Sequence, residues 1–385
     1  LLGDLDGDGT VDVNDMALLA GYWLQDPAGT NPYAGTNDDN IVNFLDYAMF
    51  SNDWMGDANQ VFKGNQDVNT FDPGTLTEGK IYYWRIDEVN GLNTVTGDVW
   101  KFTTEGYANI KKGPYLIYPG VNTQMTVLWQ VDVTAGCIIA WGTDTTYATG
   151  NAATTEYSTG TDGHQHKYNI TGLSPGTKYY YRVTAGSNNW TGNFYAAPAA
   201  DAANVKFFMY GDTRTNGNSN NSLCAQMIST YTADPNYQTM VLHAGDWVNS
   251  DSETTWTSEW YNYTWTNLMT ATANMPFMGT IGNHEGSGNC PVFEKYRPFP
   301  FVAPLADYFS FDYGPVHVAV VDQYTAYTNP STQYTWLHTD LANSTKPWKI
   351  IVLHQPGWSC SGNNNSTVQS TIQPLCVDHG VQIVL

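Results

Sequence analysis

Six short apolar runs, VKFFMY, TMVLHA, MPFMGTI, HVAVVD, WKIIVL and VQIVL, recur between Val205 and Leu385. Their length and their β-branched and aromatic content read as strands, and their near-continuous hydrophobicity reads as burial. Between several of them, residues 219–232, 254–270, 332–344 and 367–379 carry apolar side chains at helical spacing. Alternation of this kind predicts an α/β domain whose sheets are covered by helices. In such sheets reactive groups collect at the carboxyl ends of the strands.

Polar residues sit at those ends. YGDTR carries Asp212, AGDWVN carries Asp246, IGNHE carries Asn283 and His284, and VLHQP carries His354. Taken singly, a Gly-Asp pair is an ordinary Asx-type loop and a lone histidine is ordinary packing. Taken in order, one strand-helix unit apart, they resemble the calcineurin-like metallophosphoesterases. The glycines around Asn283-His284-Glu285 predict a backbone that turns sharply or approaches another group closely.

The segment before this domain sharpens the resemblance. MTVLWQV and GCIIAWG read as strands of a fibronectin type III-like β-sandwich over about 107–200, opened by KGPYLIYPGVNTQMTVLWQ. A sandwich joined directly to such an α/β domain is similar to the two-domain plan of purple acid phosphatases. Carried over position by position, the resemblance implies two metal ions. Asp212 would bind the first, Asp246 would bridge both, and Asn283 and His354 would bind the second. His284 would stand beside the substrate, and Arg214 would contact its phosphate.

The chemistry suits those residue types. A phosphate ester repels hydroxide, so two cations roughly 3.5–4 Å apart are needed to neutralise it, acidify a shared water and align attack. A bridging carboxylate sets the gap, while a neighbouring imidazole can protonate the leaving oxygen. Two departures leave the metals open among iron, zinc and manganese. The family's tyrosine three residues after the bridging Asp is Asn249 here, retained as a candidate ligand, and the histidine that other relatives place two residues after the first Asp is Arg214. The family's last two ligands lie in a Gly-His-x-His turn after the strand GVQIVL, and the sequence given stops at Leu385. The expectation is therefore a phosphoesterase domain, 201–385, incomplete at its C-terminus. The string GHQH at 163–166 falls in the sandwich and reads as structural.

The N-terminal 60 residues hold 11 acids and neither Lys nor Arg. DLDGDGTVDVND follows the calcium-loop pattern, with oxygen ligands at Asp4, Asp6, Asp8, Asp12 and Asp15 and the Thr10 carbonyl. Met16, Leu19, Ala20 and Trp23 then mark a short amphipathic helix. A weaker copy offers Asn37, Asp39, Ile41 (through its carbonyl), Asn43 and Asp46. Two loop-helix units without entering helices resemble a dockerin, which implies calcium and a cohesin-like receptor for residues 1–58. Between that module and the sandwich, LTEGKIYYWRI at 76–86 aligns without gaps to LSPGTKYYYRV at 173–183. The repeat makes 59–106 a partial fibronectin III-like segment.

The full expectation is a multidomain chain: a small α calcium-loop module, a β-sandwich and an α/β domain. A net charge of −21 with only 15 Lys and Arg argues against nucleic acid and anionic membranes as partners. No apolar run of about 18 residues is present to span a bilayer. The acidic, lysine-poor composition points to secretion. The five cysteines form no CxxC pair, and one bridge, Cys290 to Cys360, is the expected pairing. The function these features imply is phosphate-ester hydrolysis. The competing reading is a non-catalytic extracellular scaffold carrying a degenerate phosphoesterase domain.

Overall fold

The computed structural model describes residues 11–21, 64–76, 80–90, 93–104, 108–158, 162–286, 290–299 and 308–385. These divide into one unit up to Thr75 and a second from Leu76 to Leu385. In the first, the helix Val13–Gly21 forms where the sequence predicts it. Asp12 starts the helix, its carboxylate accepting the Asn14 N–H at 2.8 Å while its own N–H donates to Asp15 Oδ2 at 2.8 Å. Val11, Asp15 and Leu19 are buried. The other calcium candidates, Asp4, Asp6, Asp8, Thr10, Asn37, Asp39, Ile41, Asn43 and Asp46, lie outside the described residues.

The second unit opens with a nested antiparallel ribbon. Strand β1 (Ile81–Arg85) pairs with β4 (Val99–Thr103), and β2 (Glu88–Asn90) pairs with β3 (Asn93–Val95) between them. Register places Tyr82 opposite Phe102 and Trp84 opposite Trp100, with ring centroids 5.8 and 6.3 Å apart. Trp84 and Trp100 remain 46% and 59% exposed.

Eight strands then build a sandwich: β5 (Ile110–Ile117), β6 (Met125–Val131), β7 (Cys137–Gly142), β8 (Gly150–Thr154), β9 (Glu156–Ser158), β10 (Gln165–Ile170), β11 (Lys178–Ala185) and β12 (Asn188–Tyr195). They form two four-stranded sheets, ordered β5-β6-β10-β9 and β12-β11-β7-β8. Period-two alternation in β11 buries Tyr179, Tyr181, Val183 and Ala185 against Trp129, Ile139 and Phe194. The sequence repeat is thus a structural one, because Tyr179 stacks on Phe194 at 6.0 Å as Tyr82 does on Phe102. His166 is buried in this core, its ring 5.5 Å from that of Trp129 and its Nδ1 3.1 Å from Thr154 Oγ1. His164 bonds Glu156.

The α/β domain has two sheets. One is parallel, β13 (Phe207–Tyr210), β14 (Met240–His243) and β15 (Phe277–Gly279). The other runs β16 (Phe309–Tyr313), β17 (Val316–Val320), β18 (Trp348–Val352) and β19 (Ile383–Val384), parallel except between β16 and β17. Their inner faces share one core through Met240, Leu242, Phe277, Val318, Val320 and Val352. Helices Thr332–Asn343 and Ser366–His379 cover the outer face of the second sheet with Leu337, Leu341, Ile372 and Leu375. All six apolar runs become strands, and β16 is an addition, because its alternating FSFDY has one wet face. The expected helix over 254–270 is broken. It becomes a turn at Glu253–Thr255, a wide turn at Trp256–Trp260 and a helix at Thr266–Asn274. Asn262 Oδ1 accepts the Thr264 N–H at 3.0 Å and redirects the chain between the last two.

The sandwich docks on this domain through buried Tyr115, Ile117 and Tyr118, each such ring or side chain worth roughly 1.5–3 kcal/mol of burial. Tyr181 Oη–H donates to the Ala273 carbonyl at 2.8 Å, and Tyr118 Oη–H to that of Asp312 at 2.9 Å. A polar contact crosses the same seam. Lys112, fully buried, donates to Gln130 Oε1 at 2.8 Å and reaches Glu253 Oε2 at 3.3 Å. Burial pushes its ammonium down to about 8, partly offset by Glu253. The expected Cys290–Cys360 bridge is not formed: every cysteine is a thiol, Cys290 inside the core and Cys360 exposed. Loop position does not bring them together.

Candidate metal centre

Strand order decides what can meet at the carboxyl edge. Asp212 follows β13 and Asp246 follows β14, while Asn283 and His284 follow β15 and His354 follows β18. Ligand atoms of Asp212, Asp246 and His354 lie within 4.8 Å of one another. His354 Nε2 is 3.0 Å from Asn283 Oδ1 and 3.5 Å from Asp246 Oδ1. Its Nδ1 faces the Ala244 carbonyl at 2.7 Å, which can only accept, so Nδ1 carries the proton and Nε2 offers a lone pair. Three lone pairs therefore converge. Oxygen and nitrogen donors in this arrangement fit a cation such as zinc, manganese or iron.

Both aspartates sit in left-handed backbone, Asp212 at φ 53° and Asp246 at φ 54°. Such conformations cost of order 1 kcal/mol and persist where neighbours over-determine them. Here the neighbours are plain. The Asp212 N–H donates to the Gly245 carbonyl at 3.0 Å, and the N–H groups of Thr213 and Arg214 donate to the Asp246 carbonyl at 2.9 and 3.1 Å. Glu285, 2% exposed, accepts the N–H groups of Asp246, Val248 and Gly282 at 3.0, 2.8 and 2.8 Å. Burial pushes its carboxyl up to about 7, and those donors offset part of the rise. Gly282 has no room for a side chain, since a Cβ there would stand 2.1 Å from Asp246 Oδ1.

A second brace is aromatic. Thr213 Oγ1–H donates to the Trp247 carbonyl at 3.1 Å, leaving its oxygen to accept from His243 Nε2 at 3.1 Å. The His243 ring stacks on Trp247 at 3.9 Å, and Trp247 Nε1–H donates to the Thr280 carbonyl at 2.8 Å. Burial, followed by the charge of Arg297, holds His243 far below the usual imidazole range and keeps it neutral. The sequence assigns His243, Thr213 and Trp247 no role, and Glu285 reads from it either as a group supporting the ligands or as a loop charge, not as an acid catalyst. His243 inside the apolar run VLHA is a signal, whereas Glu285 lies among glycines and polar residues that mark it as nothing more than part of a turn.

The remaining predicted residues ring the cluster. His284 donates its N–H to Asp246 Oδ1 at 3.1 Å and its Nδ1 bonds the Asn249 carbonyl at 2.9 Å, which turns Nε2 toward Asp246 Oδ2 at 4.0 Å. Asn249 is exposed, and among the described residues its hydrogen bonds run through its backbone, its N–H donating to Glu259 at 2.8 Å. Arg214 Nε–H donates to Asp246 Oδ2 at 2.6 Å.

This arrangement of fold and candidate ligands resembles that of metallophosphoesterases, and comparison with known proteins points the same way. Residues 112–196 match the purple acid phosphatase N-terminal domain and 224–385 match the calcineurin-like phosphoesterase family, so the chain carries both domains in that order. A purple acid phosphatase of Glycine max is 28% identical over 62% of this chain and 54% of its own length. The Fe(3+)-Zn(2+) purple acid phosphatase 12 of Arabidopsis thaliana is 29% identical over 52% and 45%. The chain spans about half the length of these curated relatives. Among solved structures, the purple acid phosphatase PPD1 of yellow lupin superposes with a TM-score of 0.55 at 18% identity, covering 80% of this chain and 64% of that one, and shares the fold. Among the described residues no helix is long and apolar enough to cross a membrane.

Proposed function

We propose that this chain is a secreted, metal-dependent phosphoesterase that hydrolyses phosphate esters with two cations flanking the Asp246 carboxylate. The observation that carries the reading is the convergence of His354 Nε2, Asn283 Oδ1 and Asp246 Oδ1 within 3.0–3.5 Å of the imidazole. Asp246, Asn283 and His354 would hold one cation, and Asp212 with Asp246 the other. When bound, the cations would supply charge neutralisation and an acidified water.

The protein's own groups do the rest. His284, oriented by the Asn249 carbonyl, presents Nε2 to the cluster and can hold a proton for the leaving oxygen. Arg214 adds a guanidinium on the same side for the phosphate. The acidic N-terminal segment is read as a dockerin-like calcium module for a cohesin-like receptor, supported by the Asp12 and Asp15 turn that opens its helix.

Supplied with zinc or manganese, the chain is expected to hydrolyse a chromogenic phosphate ester. Asp246→Asn should abolish that turnover and lower bound metal by elemental analysis. Undiminished hydrolysis by the variant would overturn the assignment.

A further inference from the structure

Arg297 is 1% exposed, and among the described residues its Nε, Nη1 and Nη2 have no hydrogen-bond partner. A guanidinium keeps its proton even when buried, so something must stand in for the water it has lost. Three aromatic rings do. Arg297 Cζ lies 4.5 Å from the ring centre of Trp247, 5.3 Å from that of Trp260 and 5.3 Å from that of Tyr115. Ring faces attract a cation, and more strongly where water is excluded. The side chain enters this cage from the end of helix Pro291–Tyr296, whose Val292 and Phe293 N–H groups donate to the Asp251 carboxylate at 2.9 and 2.7 Å.

The rings come from separate parts of the chain. Tyr115 belongs to β5 of the sandwich, where Gln165 Nε2 donates to its Oη at 3.0 Å. Trp260 closes the wide turn, and Trp247, fully buried, directly follows Asp246. Displacing any one ring would leave the cation less covered, so the charge favours the arrangement in which all three are seated. We propose that Arg297 is a positioning residue through which the sandwich sets the candidate metal centre: seated on Tyr115 of one domain, its guanidinium holds the Trp247 indole of the other, and with it the turn that carries Asp246. This rests on the metal-centre reading above. The sandwich then has a part in the site although every candidate ligand lies in the α/β domain.

Hydrogen exchange of the Trp247 indole N–H reports its bond to the Thr280 carbonyl, and can be followed by NMR on the whole, metal-free chain with isotope-labelled tryptophan. Its signal is assigned by its loss in Trp247→Phe, and zinc calorimetry on the same proteins reports the centre. Tyr115→Leu, which removes a ring face, and Arg297→Met, which removes the charge, should each speed that exchange. Both should also weaken zinc binding by about tenfold or more, the usual cost of losing a group that supports ligands. Tyr115→Phe, which keeps the face, should do neither. Because methionine ends the burial of an unpaired cation, Arg297→Met should melt no lower than the parent, which a purely structural role would not allow. If Tyr115→Leu does not fold, Arg297→Met decides alone. Exchange or zinc affinity unchanged in folded Arg297→Met, or Tyr115→Phe as damaging as Tyr115→Leu, would overturn the inference while leaving the centre itself intact. A parent that binds no zinc would overturn the metal-centre reading, and this inference with it.

Discussion

The carboxylate of Glu285 accepts the backbone N–H of Asp246 at 3.0 Å, so the side chain of one acid fixes the main chain of another. The same carboxylate accepts from Val248 and Gly282, which ties the turns after two parallel strands into one piece. Glu285→Ala would leave three buried donors unmet. It should lower stability by at least ~2 kcal/mol in thermal unfolding and weaken metal binding in the same protein.

Gly282 allows Asp246 to lie where it does, because a Cβ would stand 2.1 Å from Oδ1 and 2.3 Å from the Asp246 nitrogen. Gly282→Ala should keep native circular dichroism yet lose roughly 100-fold in phosphatase turnover, as a shift of about 1 Å at a reacting group commonly costs. Turnover within a few-fold of the parent would show that the carboxylate position is not critical.

His317 bonds Asp312 and Asp340, both at 2.8 Å, and pins β17 to β16 and to helix Thr332–Asn343. Burial opposes its charge, but the two carboxylates outweigh burial and raise it to about 9. A raised histidine stabilises fully below its unfolded pKa near ~6.5 and loses that contribution as pH climbs through the folded value. Asp312 is half-exposed and Lys346 competes for it, so His317→Gln should cost on the order of 1–3 kcal/mol at pH 6 and almost nothing at pH 10 by chemical denaturation.

At the seam between sandwich and α/β domain, Glu253 faces both Lys112 and Lys295 and accepts from Tyr296. Glu253→Ala strands a buried ammonium and should destabilise by ~3 kcal/mol or more, whereas Lys112→Met removes the charge with its cost and should fall within ~1 kcal/mol of the parent. Equal losses in the two variants would mean that the seam depends on the ion pair itself.

What could be read from the sequence was positional. Strands of this kind announce themselves by hydrophobicity, and their carboxyl ends named Asp212, Asp246, Asn283 and His354 before any coordinates did. Groups that act on the backbone were illegible. Glu285 meets three N–H groups from two different turns, and Thr213 meets His243 only because β13 and β14 are neighbours; no local pattern encodes either meeting. The break in 254–270 was hidden for a different reason. Trp256 and Trp260 kept the apolar spacing while an asparagine turn interrupted the helix. Asn249 could be aligned by counting, but counting does not say that its backbone, not its amide, would face His284.

The antiparallel strand pair that the chain uses twice makes the molecule its own control. Tyr179 and Phe194 sit beneath an opposing sheet, while the equivalent ribbon of Tyr82 and Phe102 keeps its tryptophans in solvent. Two strands alone are marginal in water. Deuterium should therefore enter the 81–103 amides orders of magnitude faster than those of 178–195, and the ratio would measure, within one polypeptide, what the second layer contributes to holding such a pair together.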